Sequence, residues 1–120
     1  MFQQVESIGP SVVAIRIEKS IEGREARQIE AFLHDKIASA GKIALLLVVK
    51  QYRSFDSAED LYMDLGFFKR FEDHLERLAV VGEALWRRTW VGLFGLFSGI
   101  ETAYFTTDQF AEALAWVSGR

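Results

Sequence analysis

Short β-rich runs alternate along this chain with longer stretches whose apolar residues recur every three or four positions. Residues 2–5 and 12–18 read as two strands joined by a turn at Ile8-Gly9-Pro10-Ser11, where glycine and proline set the backbone. In the second strand Val13, Ile15 and Ile17 share one face while Arg16 and Glu18 share the other. That alternation suits an edge or near-edge strand with one face partly wet. Over 21–40 the period changes to that of a helix, with Ala26, Ile29, Leu33, Ile37 and Ala40 on one stripe, and Gly41 stands where a helix-ending glycine belongs. Residues 43–49, Ile-Ala-Leu-Leu-Leu-Val-Val, are uniformly apolar. So short a run predicts a strand covered on both faces, as in a parallel sheet between helices.

The second half repeats the alternation. Asp56 or Ser57 caps a helix that carries Leu61, Met63, Leu65 and the cluster Phe67, Phe68, Phe71, with Gly66 as its soft point. A strand follows at 78–82, then an aromatic segment at 84–99, a strand at 102–107 and a last helix from Asp108, its natural cap. Strands alternating with helices predict an α/β fold. The expectation is a mostly parallel five-stranded sheet with right-handed crossovers, an antiparallel strand at its N-terminal edge, and four crossover or terminal helices.

Composition narrows the class. A length of 120 residues predicts one domain, 1–120, with enough buried surface to stand without staples. There are no cysteines, which removes disulfides, thiolate catalysis and thiolate metal sites together. A formal charge of −3 gives no general attraction to nucleic acid. The opening residues lack a basic stretch followed by an apolar one, so the expectation is a cytoplasmic protein.

Little in the chain reads as catalytic chemistry. Gly92, Gly95 and Gly99 fit neither phosphate-binding spacing, and read better as close helix packing or a loosened helix end. His34 and His74 lie on predicted helices among charges, and a metal or base role needs further converging groups; both read as surface histidines. Glu59, Asp60 and Asp64 form a carboxylate row that suits a solvated helix face. Lys69-Arg70 and Arg87-Arg88 are basic doublets near aromatics, but without any longer basic tract they do not make a nucleic-acid platform. No metal or cofactor is implied, and the chain reads as a non-enzyme.

The aromatic segment is the unusual part. On a helical projection Trp86, Trp90, Leu93, Phe94 and Phe97 fall in one arc, with Leu85 and Leu96 beside it and Arg87 and Arg88 opposite. Aromatic side chains bury about 150–250 Å² each, so this arc is wide for a helix that merely covers a sheet. Three fates are open to it: ordinary core, the lining of an apolar cavity beside the preceding helix, or a surface for a second copy of the chain or the membrane interface. The run 91–100 is far short of the ~20 residues that cross a bilayer.

Several blocks resemble the SpoIIAA-like family, relatives of the STAS domains of anti-sigma-factor antagonists. Arg77-Leu78-Ala79-Val80-Val81-Gly82 with Trp86 downstream is similar to that family's Arg-x-Ala-Val-Val-Gly strand and tryptophan. Thr102-Ala103-Tyr104-Phe105, followed by Ala113-Leu114-Ala115-Trp116, is similar to its last strand and Ala-x-x-Trp helix, and Asp64 and Phe67 fit the helix before the strand. The resemblance implies a β/α staircase like that of STAS and CRAL-TRIO domains, and with it homodimers, apolar ligands and membrane contact. It departs in one place. STAS antagonists carry a phosphorylatable serine turn after the central strand, whereas here the strand runs into Lys50-Gln51-Tyr52-Arg53-Ser54-Phe55. Together these readings predict a binding module for an apolar or lipid-like ligand, peripheral to the membrane and homodimeric. Phe67, Phe71, Trp86, Trp90, Phe94 and Phe97 would form the lining, and Arg87 and Arg88 would meet an acidic head group. The alternative is a STAS-type partner-switching module without the phosphoserine.

Overall fold

A computed structural model of the chain describes residues 3–17, 23–49, 66, 68–97 and 99–119. Strands β1 (Gln3–Gly9), β2 (Val12–Ile17), β3 (Ile43–Val49), β4 (Leu75–Gly82) and β5 (Glu101–Thr106) form one sheet in sequential order. β2 to β5 pair in parallel, and β1 runs antiparallel to β2. Three α-helices are described: α1 (Gly23–Ala40), α2 (Arg87–Leu93) and α3 (Phe110–Val117). The parallel four-strand alternation is the one the hydropathy pattern predicts. The helix expected over 56–71 falls for the most part outside the described residues, as do the carboxylate row Glu59, Asp60 and Asp64 and the stretch 50–55.

Sequential strand order has a consequence for layering. Each crossover advances the sheet by one strand in the same direction, so crossovers of one hand put their helices on one face. α1 and α2 do share a face. Ile29 and Leu33 of α1 and Trp90 of α2 pack with Val13, Ile15, Leu45, Leu47, Leu78 and Val80 in one core. The opposite face carries Ala14, Ala44, Leu46, Ala79 and Val81, and there the C-terminal helix α3 packs through Ala113 and Val117. Every residue of β3 is buried, as its unbroken apolar run requires.

Several boundaries differ from the sequence reading: β1 extends to Gly9 rather than ending at residue 5, and β5 spans Glu101–Thr106 rather than 102–107. β4 begins at Leu75 rather than at residue 78. Its register against β3 shifts between Ile43 and Ala44, so Ile43 pairs with Leu75 and Ala44 with Arg77. The extra residue puts Leu75 and Leu78, three apart, into the same core, which hides the strand from a test for alternation. The turn that leads into the last helix is capped by Thr106 and not by Asp108, and the α-helix itself has Gln109 at its N-cap position. Thr106 accepts from the backbone of Gln109, while the Gln109 side chain accepts from the Thr106 N–H at 3.0 Å. A 3-10 turn, Thr107–Gln109, precedes the α-helix. At the end of α1 the expected glycine holds: Gly41 has φ 85° and its N–H donates to the Ile37 carbonyl at 2.7 Å.

Candidate functional site

The segment from Gly82 to Gly99 leaves the end of β4, crosses one face of the sheet and returns to β5. It is a composite: a 3-10 turn at Ala84–Trp86, α2, and a second 3-10 turn at Phe94–Leu96. The first turn is fixed from two sides. Trp86 N–H donates to the Glu83 carbonyl at 3.1 Å, and the Tyr104 hydroxyl of β5 donates to the same oxygen at 2.7 Å. The Arg87 guanidinium lies over the Tyr104 ring, 5.5 Å from its centroid. At the far end Phe97 N–H donates to the Phe94 carbonyl at 3.0 Å, and Gly99, at φ 81°, turns the chain into β5.

This framework decides which way each aromatic residue points. Trp90 is 1% exposed and packs with Phe94, Phe97, Phe68 and Phe71 in the core beneath α1 and α2. Trp86, Leu93 and Leu96 are half-buried against the same cluster. Of the residues expected to line a ligand cavity, Phe71, Trp90, Phe94 and Phe97 are therefore part of the protein's own interior. Phe67 lies outside the described residues. Arg87 and Arg88 are both exposed; Arg87 is held over the ring of Tyr104, a residue of the buried cluster, rather than directed away from it.

Leu85 departs from the projection. Placed beside the buried arc by helical phase, it is 83% exposed, because it sits in the 3-10 turn three residues beyond the end of β4, at the rim of the sheet. Val91 is 50% exposed. With Arg88, Gly92 and Gly95 these residues form the solvent side of the segment, and none of the five is acidic. A Cβ added at Gly92 or Gly95 would meet nothing within 4 Å among the described residues, so these glycines do not serve close packing against them. Gly95 instead lies in the 3-10 turn where the helix loosens. Along α2 and its two flanking 3-10 turns the exposed residues thus include a leucine, a valine and an arginine, while Trp90, Phe94 and Phe97 of the same segment are buried.

Among the described residues, two further grooves lie elsewhere. One, of about 490 Å³, runs along the starting ends of β3, β4 and β5 and is lined by Lys42, Leu75, Arg77 and Glu101 among others. There Arg77 Nε donates to Glu101 Oε1 at 3.0 Å, and the guanidinium packs 6.0 Å from the Trp116 ring centroid. The other, of about 190 Å³, brings His34 and His74 together with Glu30, Ile37, Arg70 and Phe71. Reading each histidine separately as surface missed this convergence. The Glu30–His34 spacing of four was one available signal, but nothing in the sequence brings His74 to α1. Among the described residues no three His, Cys, Asp or Glu side chains gather as a metal site, and no helix is long and apolar enough to cross a membrane.

A parallel sheet of sequential strand order, with α1 and α2 on one face and α3 on the other, defines a STAS-like α/β domain. The model of the SpoIIAA-like family matches residues 12–118, and the chain belongs to that family. No curated protein and no solved structure matches significantly.

Proposed function

We propose that this SpoIIAA-like domain is a non-catalytic, STAS-type interaction module whose partner is another protein, docking along the outward face of α2. The observation that carries this reading is the exposure of two large apolar side chains, Leu85 at 83% and Val91 at 50%, in a segment that also exposes Arg88. Large apolar side chains held outward on a rigid support, next to a cation, suit a partner surface of apolar and acidic residues. The ends of parallel strands are also where α/β sheets present their binding elements. The apolar-ligand reading drew on the width of the aromatic arc. With Trp90 at 1% exposure, that arc supplies core, and the lipid reading loses its main support.

The test is a photo-reactive amino acid placed at Val91, with Arg27 on α1 as the control position, irradiated in cells. The expected result is a discrete protein adduct from position 91 and none from 27, lost when Leu85→Asp is added. Adducts of lipid mass alone, or adducts equal at both positions, overturn it. A self-adduct at twice the mass of the chain identifies the partner as a second copy.

A further inference from the structure

Among the described residues the exposed large apolar side chains are Leu85, Val91 and Phe110. They divide between the two faces of the sheet. Leu85 and Val91 belong to the segment that packs on one face through Trp90, and Phe110 opens α3 on the other. Every residue of α3 except Glu112 is apolar, yet only Ala113 and Val117 are buried. A helix apolar on every side is ordinarily covered on every side. Here Phe110 is 41% exposed and Ala111 beside it is exposed as well, so α3 presents apolar surface that the chain leaves open.

The two surfaces differ in charge. Residues 84–97 include Arg87 and Arg88 and no acid, with the exposed Glu83 just before them. Residues 107–117 include Asp108 and Glu112 and no cation. Arg77, at the far end of α3 beside Trp116, is engaged by Glu101. Among the described residues no ion pair within the chain engages Arg87, Arg88 or Glu112. A contact that used the same surface on both copies would bring Arg88 near its own counterpart, or Glu112 near its own, and like charges oppose it. The α2 surface of one copy against the α3 surface of another sets cations beside acids and apolar side chains beside apolar ones. Because the two surfaces lie on opposite faces of the sheet, one copy can use both at once, and the contact repeats from copy to copy.

We propose that the protein met by the α2 surface is a second copy of this chain, presenting α3, so that copies associate head to tail. This rests on the interaction reading above and names its partner. Helices of seven and eight residues offer less than the ~800 Å² per partner of a standard interface, so the association is weak and grows with concentration. Sedimentation of the full chain from about 10 μM to about 1 mM, the range in which contacts below standard size form, reads it directly. The expected average mass climbs past that of two chains with no plateau at the dimer. Leu85→Asp blocks one surface, and Ala111→Arg, at an exposed position of α3, blocks the other without touching the core. Each variant alone is expected to stay monomeric, while an equal mixture forms a two-chain species and nothing larger, since each supplies the surface that the other has lost. A plateau at two chains that Ala111→Arg leaves intact, or a mixture no larger than its separate parts, would overturn the proposal. A chain that stays monomeric throughout, yet still gives an adduct with a different protein from position 91, overturns it too and leaves the interaction reading standing.

Discussion

The face of the sheet beneath α1 and α2 is filled by rings, while the opposite face, beneath α3, is lined mostly by alanine and valine. Trp90, Phe68, Phe71, Phe94 and Phe97 occupy the first. Ala14, Ala44, Ala79 and Ala113 let α3 lie close on the second, with Phe105, Leu114 and Trp116 half-buried at its margin. Small residues shorten the distance between packed elements and large ones lengthen it. An aromatic-rich segment in such a fold therefore fills the deeper layer before it offers anything to a ligand. What remains outside is decided by the few positions that the sheet does not cover, Leu85 and Val91.

If the two faces differ in this way, deletion and addition should hurt them differently. Trp90→Ala removes a ring that is 1% exposed and should destabilise by about 3–5 kcal/mol, the cost of a large unfilled cavity. Denaturant unfolding measures it, and a loss under about 1 kcal/mol would mean the indole lines space rather than fills it. Ala79→Leu tests the other face. Ala79 is fully buried under α3, so added methylenes should cost about 1–3 kcal/mol by overpacking. A neutral result there would show that α3 is free to move outward.

The parallel strands and their alternation with helices were legible because period and burial coincide: β3 is an unbroken apolar run, and α1 keeps a clean stripe ending at Gly41. The start of β4 was not legible, since its register shift breaks the alternation by which a strand is recognised. In the candidate site, the projection correctly put Trp90 and Phe94 on one side and Arg88 and Val91 on the other. What it could not supply was the depth of the layer beneath them, which depends on Phe68, Phe71 and strands distant in sequence. For the same reason the arc looked too wide; Leu85, placed beside that arc, is exposed because it sits in a 3-10 turn and not in the helix. The convergence of His34 and His74 is a purely tertiary fact, beyond any local pattern.

Smaller effects sharpen the contrast between the inner and outer sides of α2. Tyr104→Phe removes the hydroxyl that donates to the Glu83 carbonyl and should cost about 0.5–1.5 kcal/mol. Amide exchange should quicken around 83–86 while β4 itself stays protected. Leu85→Asp, on the outer side, should change stability by no more than about 0.5 kcal/mol. A larger loss would place Leu85 in a packing role and would remove it from the docking strip.

The smallest effect belongs to the entrance of α3, at the edge of the alanine-lined face. Thr106 Oγ1 donates to Asp108 Oδ1 at 2.5 Å. That hydrogen bond, with a backbone hydrogen bond from Asp108's own N–H, holds the carboxyl below its ordinary value of 3.8. A carboxylate with a lowered pKa in the folded protein contributes stability above its unfolded value, and loses that contribution as the pH falls through the folded one. Acid should therefore loosen the 3-10 turn that leads into α3 only below about pH 3.8, and only slightly, because Asp108 is exposed. Unfolding midpoints of the natural chain and of Asp108→Asn, compared from about pH 5 to about pH 2, isolate the step by difference, since every other carboxylate titrates in both proteins. A difference that is flat over that range would mean that the Thr106 hydroxyl is directed at Gln109 Oε1, its other acceptor at 3.0 Å, and that the carboxylate has no part in the cap.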